Sequence, residues 1–178
     1  MRQTTETKKF SPPVILLHWL MALMIFALYA VGLSVDSFAK PTRPMVVNLH
    51  AVAGLALLAL LVLRVAARVT TPTPDYPGSM GPMFRLAAAA GHGLLYLLML
   101  LVPLVGVATF LSAGRTLDLG LLQIPSAFAE NRGLAHQLME IHELLAHLLI
   151  ATVVGHALFA LYHQFILGDG IMERIKLR

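Results

Sequence analysis

The chain has 178 residues, of which 58% are hydrophobic and only 12% charged, with a mean hydropathy of +0.78. Water-soluble domains are about a quarter charged, so this composition belongs to a membrane protein with room for about four spans and excludes a large soluble catalytic domain. The formal net charge is +4 and there is no cysteine; disulfides, iron–sulfur clusters, thiolate-ligated or covalently attached haem and cysteine nucleophiles are excluded, and basic residues scattered between apolar runs give no reason to expect nucleic acid as a partner.

The expected fold is an all-α, integral membrane four-helix bundle forming a single membrane domain over 1–178. The first span, 14–35, follows Ser11-Pro12-Pro13, in which serine suits the N-cap and proline the first turn. It is longer than a signal-peptide core and no small-x-small site closes it, so cleavage is not expected. The second span, 45–69, lies between the breakers Lys40-Pro41-Thr42-Arg43-Pro44 and Thr71-Pro72-Thr73-Pro74. The third covers 86–111, with Pro103 expected to kink it. The fourth helix begins near Asn131, crosses the bilayer over about 138–167 and ends at Gly168 and Gly170; its first turns, around His136, are surplus to the bilayer and belong in the aqueous interface.

If the amino terminus is inside, the inner segments carry Arg2, Lys8, Lys9, Arg64, Arg68, Arg85, Arg174, Lys176 and Arg178, and the outer ones Lys40, Arg43, Arg115 and Arg132. Nine cations against four predict that both termini are cytoplasmic. Asp36, Asp118 and Glu130 leave the outer side still basic.

Polar, ionisable groups inside a span are costly and so are functional candidates. His18, His50, His92, His142 and His156 lie well inside the spans, and His147 and His163 also fall in the fourth helix. At about 100° per residue, His142, His156 and His163 share a face of that helix, near 240°, 200° and 180° from His136, whereas His147 returns to about 20°. Glu143, four residues before His147, is its expected structural partner.

His142 and His156 lie ~21 Å apart along the axis, hence at two depths. With alternating topology His50 matches the depth of His142 and His18 that of His156. Two bis-histidine pairs follow, with Gly54 and Gly155 offering close approach to the backbone. Any one of these histidines can be explained as a hydrogen-bonding link between helices. The joint pattern points to a metal or haem, and haem, bringing four nitrogens of its own, needs only two axial ligands.

The residues His18-Trp19-Leu20, Leu49-His50 with Gly54, Gly91-His92 with Leu94-Leu95-Tyr96, Ile141-His142-Glu143, Gly155-His156, Tyr162-His163 and the proline-rich 71–74 loop resemble the bacterial cytochrome b561 family over nearly the whole chain, and in particular its superoxide oxidase members. The resemblance implies two haem b groups, the inner held by His18 and His156 and the outer by His50 and His142. It implies oxidation of superoxide at the outer face and reduction of ubiquinone in a bacterial inner membrane. The family also includes haem-bearing subunits that link a partner dehydrogenase or hydrogenase to quinone, which is the alternative role. On the first reading Lys40, Arg43, Arg115 and Arg132 are candidates for a cationic funnel that attracts the anion, although ordinary solvated loop charges look the same in sequence. His92, His163 and Trp19 are candidates for the quinone site, with helix packing and interfacial anchoring as their plainer roles. Arg64, Arg68 and Arg85 are candidates for haem propionates or lipid phosphates.

Overall fold

The computed structural model describes residues 9–76 and 80–177. Arg2, Lys8 and Arg178, which enter the charge balance above, lie outside the described residues. The architecture is a four-helix bundle: α1 (Pro12–Ser34), α2 (Arg43–Thr70), α3 (Pro82–Ser112) and α4 (Arg132–Tyr162). All four are long and apolar enough to cross a membrane. Leucines point outward on every face, for example Leu16, Leu23, Leu86, Leu144 and Leu158, as a lipid-facing surface requires.

Helix starts follow the prolines rather than the apolar runs. Pro12, Pro44 and Pro82 each occupy the first turn of their helix, where a missing N–H costs nothing, so α2 and α3 begin a few residues ahead of their apolar stretches. Ser11 does hold the N-cap position of α1, but its side chain makes no capping bond. It donates instead to the Thr71 hydroxyl, 3.2 Å away, tying α1 to the end of α2. Asn131 caps α4, its side chain accepting the Leu134 N–H at 2.9 Å. α3 runs on through the buried Pro103.

Two features lie between and beyond the spans. The loop from α3 to α4 carries a small antiparallel hairpin, β1 (Leu117–Asp118) with β2 (Gln123–Ile124), fastened to α2 because Asn48 both donates to the Asp118 carbonyl, at 2.8 Å, and accepts its N–H, at 2.9 Å. After α4 the chain makes one π-helical turn, His163–Leu167, passes Gly168 and Gly170 in the left-handed region, and ends in a short 3₁₀ turn, Ile171–Arg174. This strap folds back over the end of the bundle that carries both termini. The Phe10 N–H donates to the Arg174 carbonyl (3.0 Å), Trp19 Nε1 to the Ile175 carbonyl (2.8 Å), and the Arg174 guanidinium to the Asp75 carbonyl.

The main apolar core is one layer made of Met21 and Ile25 from α1, Leu57 and Leu61 from α2, Leu95, Leu98 and Met99 from α3, and Leu149 from α4. On α2 these residues fall between His50 and Arg64, and on α4 between His142 and His156. The core thus separates two polar levels. α3 packs most closely on α4 and α1 on α2, whereas α1 and α4 meet along a looser seam.

Candidate functional site

At the hairpin end, His50 of α2 faces His142 of α4, with ring centroids 6.1 Å apart and planes at 82°. At the terminal end, His18 of α1 faces His156 of α4, at 6.2 Å and 68°. An imidazole nitrogen lies ~2 Å from a metal it ligates and the ring centroid about 1 Å further back, so two imidazoles facing each other across one metal have centroids about 6 Å apart. Both pairs match that separation.

The surroundings of the hairpin-end pair suit ligation. His142 Nδ1 lies 2.9 Å from the Val102 carbonyl; a carbonyl only accepts, so Nδ1 carries the proton and Nε2 keeps its lone pair. Such a contact fixes ring orientation as outer partners of metal-binding histidines do. Gly106, one turn along α3, brings backbone against the same ring: a Cβ there would fall 2.9 Å from His142 Cε1 and 3.1 Å from Nδ1. His50 Nδ1 is buried with no hydrogen-bond partner.

At the terminal end the arrangement differs. Arg64 donates through Nη1 to the Val14 carbonyl (3.1 Å) and through Nη2 to His18 Nδ1 (3.3 Å). Since a guanidinium cannot accept, His18 here holds its proton on Nε2. Ligation through Nε2 requires the opposite tautomer, and Arg64 must then turn to another acceptor. His92 joins this level, its ring 5.3 Å from that of His156, with Arg64 and Arg68 within electrostatic reach. Of the two rings beside His156, His18 has the spacing of imidazoles facing each other across one metal. A Cβ at Gly54, Gly91 or Gly155 meets nothing within 4 Å, so the backbone beside both levels is open to a flat group. The donor set, the spacing and the open backbone fit two haems.

The remaining histidines are separate. His163 is 1% exposed, its Nδ1 2.5 Å from Asp169 Oδ2, itself 6% exposed. Phe84, Phe159 and Tyr162 surround its ring, and its Nε2 has no partner. His147 pairs with Glu143 through the backbone, its Nδ1 donating to the Glu143 carbonyl at 2.6 Å, and it packs edge-on against Tyr29 of α1; the expected side-chain pair is not formed because the helical carbonyl is the nearer acceptor. His136 lies 3.7 Å from Glu140. Trp19 commits its indole N–H to the strap.

The four candidate funnel cations do not behave alike. Arg43 is 3.0 Å from Asp36 and also holds the Asp36 and Phe38 carbonyls, and Arg132 is 2.7 Å from Glu130. Arg115 lies 5.9 Å from the centre of the Phe110 ring. Among the described residues Lys40 and Arg115 are the two of the four outside ion pairs. Arg68 covers the Phe10 ring at 4.6 Å, and Arg85 donates to the Met80 carbonyl.

Sequence reasoning missed Asp169, Gly106, Tyr29 and the anchoring role of Asn48. Only Asp169 had a local signal, an acid between the two glycines that reverse the chain.

A family model described as prokaryotic cytochrome b561 matches residues 9–176. A protein of Yersinia pestis named probable superoxide oxidase CybB is 31% identical over 170 residues, 94% of this chain and 96% of the relative. Cytochrome b561 homolog 2 of Escherichia coli (strain K12) is 32% identical over 89% of this chain and 86% of its own, and cytochrome b562 of Cereibacter sphaeroides 32% identical over 96% and 97%. The chain belongs to the prokaryotic cytochrome b561 family and is a multi-pass membrane haem b cytochrome of electron transfer.

Proposed function

We propose that this cytochrome is a stand-alone superoxide oxidase of the bacterial inner membrane, with the hairpin end outside and both termini in the cytoplasm. Two superoxide anions, one ubiquinone and two protons become two dioxygen molecules and one ubiquinol. The observation that carries this reading is the pair of histidine levels, 6.1 and 6.2 Å across, with the main apolar core between them. A relative named probable superoxide oxidase, similar over nearly its full length, supports the choice of donor.

Haem b, when bound, supplies a one-electron couple at each level. His50 and His142 would hold one group and His18 and His156 the other, and two histidine ligands on each would favour electron transfer over binding of dioxygen. His142, its tautomer set by Val102, presents Nε2. Arg64, on release from His18, would donate to a haem propionate in a charge-assisted pair. Lys40 and Arg115, with the ion-paired Arg43 and Arg132 in the same outer segments, raise the local concentration of a small anion at the outer mouth. His92, beside His156, and His163, in its aromatic surround, are the hydrogen-bonding groups for quinone; Trp19 holds the strap at that end of the bundle.

The test is quinone reduction by haem-loaded protein supplied with a superoxide source. Reduction that is no faster than without the source refutes the oxidase reading. The second reading, an electron-transfer subunit serving a dehydrogenase or hydrogenase, draws on relatives named only as cytochromes, and stable co-purification with such an enzyme would select it.

A further inference from the structure

The His163–Asp169 pair has the features of a built site rather than of packing. Both side chains are buried. The chain reaches this geometry by a specific route: the π-helical turn lets both the Gly168 and Asp169 N–H groups approach the His163 carbonyl, and positive φ at Gly168 and Gly170, 62° and 73°, turns Asp169 back beneath the imidazole. Asp169 Oδ1 is held by the Ile171 N–H at 3.2 Å, leaving Oδ2 for His163 Nδ1.

A second observation points to a ligand. Four buried side-chain polar atoms among the described residues have no partner, and three of them, His163 Nε2, Gln164 Oε1 and Arg174 Nε, belong to this turn and the strap over it. Buried polar groups are normally satisfied, so this end of the bundle keeps three unfilled donors and acceptors. Phe84 and Tyr162, which pack against the His163 ring, are 40% and 43% exposed toward the lipid side. A flat aromatic-like ring with an oxygen at each end, arriving from the bilayer, suits such a place.

We propose that Asp169 is a positioning residue for a p-quinone head group: it holds His163 with Nδ1 protonated, so that Nε2 is the one atom available to hydrogen-bond the quinone oxygen and exchange a proton with it. The proposal rests on the reading of His163 as a quinone-facing residue. In reduction the Nε2–H bond of the imidazolium breaks as an O–H bond forms on the quinone. The electron pair of the broken bond stays on Nε2, and Asp169 keeps its negative charge throughout, stabilising the imidazolium before transfer. The proton is replaced from cytoplasmic water, and the electrons come from superoxide, the donor in the proposed activity.

The experiment compares haem-loaded wild type, Asp169→Asn, Asp169→Glu and His163→Ala, using a short-chain ubiquinone analogue. It measures analogue binding by equilibrium dialysis, kcat and KM for its reduction, and haem spectra and haem reduction with quinone omitted. Asp169→Asn and His163→Ala are expected to lower kcat about 10- to 100-fold, the usual effect of losing an outer partner, and to weaken binding about tenfold. Haem spectra and quinone-free haem reduction stay unchanged, and Asp169→Glu restores part of the loss. If His163→Ala is impaired and Asp169→Asn is not, the role of Asp169 falls while the quinone reading stands. If His163→Ala behaves as wild type, the quinone reading falls and takes the proposal with it. If Asp169→Asn and Asp169→Glu lose haem alike, Asp169 is a structural lock, and the proposal is overturned.

Discussion

Gly106→Ala isolates the geometry of one histidine level. The new Cβ would stand 2.9 Å from His142 Cε1 and 3.1 Å from Nδ1, so the ring must retreat from α3 by about 0.5 Å to restore ordinary carbon contacts. Val102, whose carbonyl holds Nδ1 at 2.9 Å, lies on the same helix one turn away, so the same retreat stretches that bond. Its net worth is about 1 kcal/mol. A ~0.5 Å displacement is also a quarter of a ~2 Å metal–imidazole bond. Losing this kind of support costs about 10- to 100-fold in affinity, or roughly 1.4–2.7 kcal/mol. The expected outcome is weakened retention or a shifted potential of one haem, with the other unaffected. Pyridine haemochrome counting and a stepwise redox titration measure both quantities. Gly54→Ala is the companion variant, because a Cβ there meets no protein atom within 4 Å, and any effect it has on the haems comes from the bound group itself. Two haems per chain with wild-type spectra and titration in Gly106→Ala would refute the assignment of His142 as a ligand oriented by α3.

Three further outcomes follow from the same geometry. His50→Ala or His142→Ala should remove one haem and His18→Ala or His156→Ala the other; four variants that all retain two haems with unaltered spectra would disprove the pairing. Replacing Lys40 and Arg115 by Glu should slow the superoxide-driven reaction most at low ionic strength, where the Debye length is long, and leave chemical reduction of the haems unchanged; stopped-flow rates across a salt series decide it. Gly168→Ala forces a Cβ into the left-handed region at φ 62°, costing about 1–2 kcal/mol, and limited proteolysis should then cut the strap faster than in wild type.

The two histidine levels were legible in the sequence because a helix converts spacing into position. The 14-residue step from His142 to His156 sets both a common face and a separation in depth, and alternating crossing of the bilayer then matched His50 and His18 to them. The spans were legible for the same reason, since apolar length is what the bilayer selects. The small hairpin was not, because its residues alternate weakly and its anchor, Asn48, lies 70 residues earlier than Asp118.

Composition and spacing by themselves determined a four-helix membrane bundle with histidines paired at two levels, as these depend on local helical periodicity and on transfer from water to lipid. Tertiary structure alone decided that His92 joins His156, that Arg64 touches His18, that Gly106 presses on His142 and that Asp169 turns under His163. Each of those contacts depends on helix rotation, on closest approach or on a reversal of the chain, and side-chain packing sets these between residues that no sequence period relates.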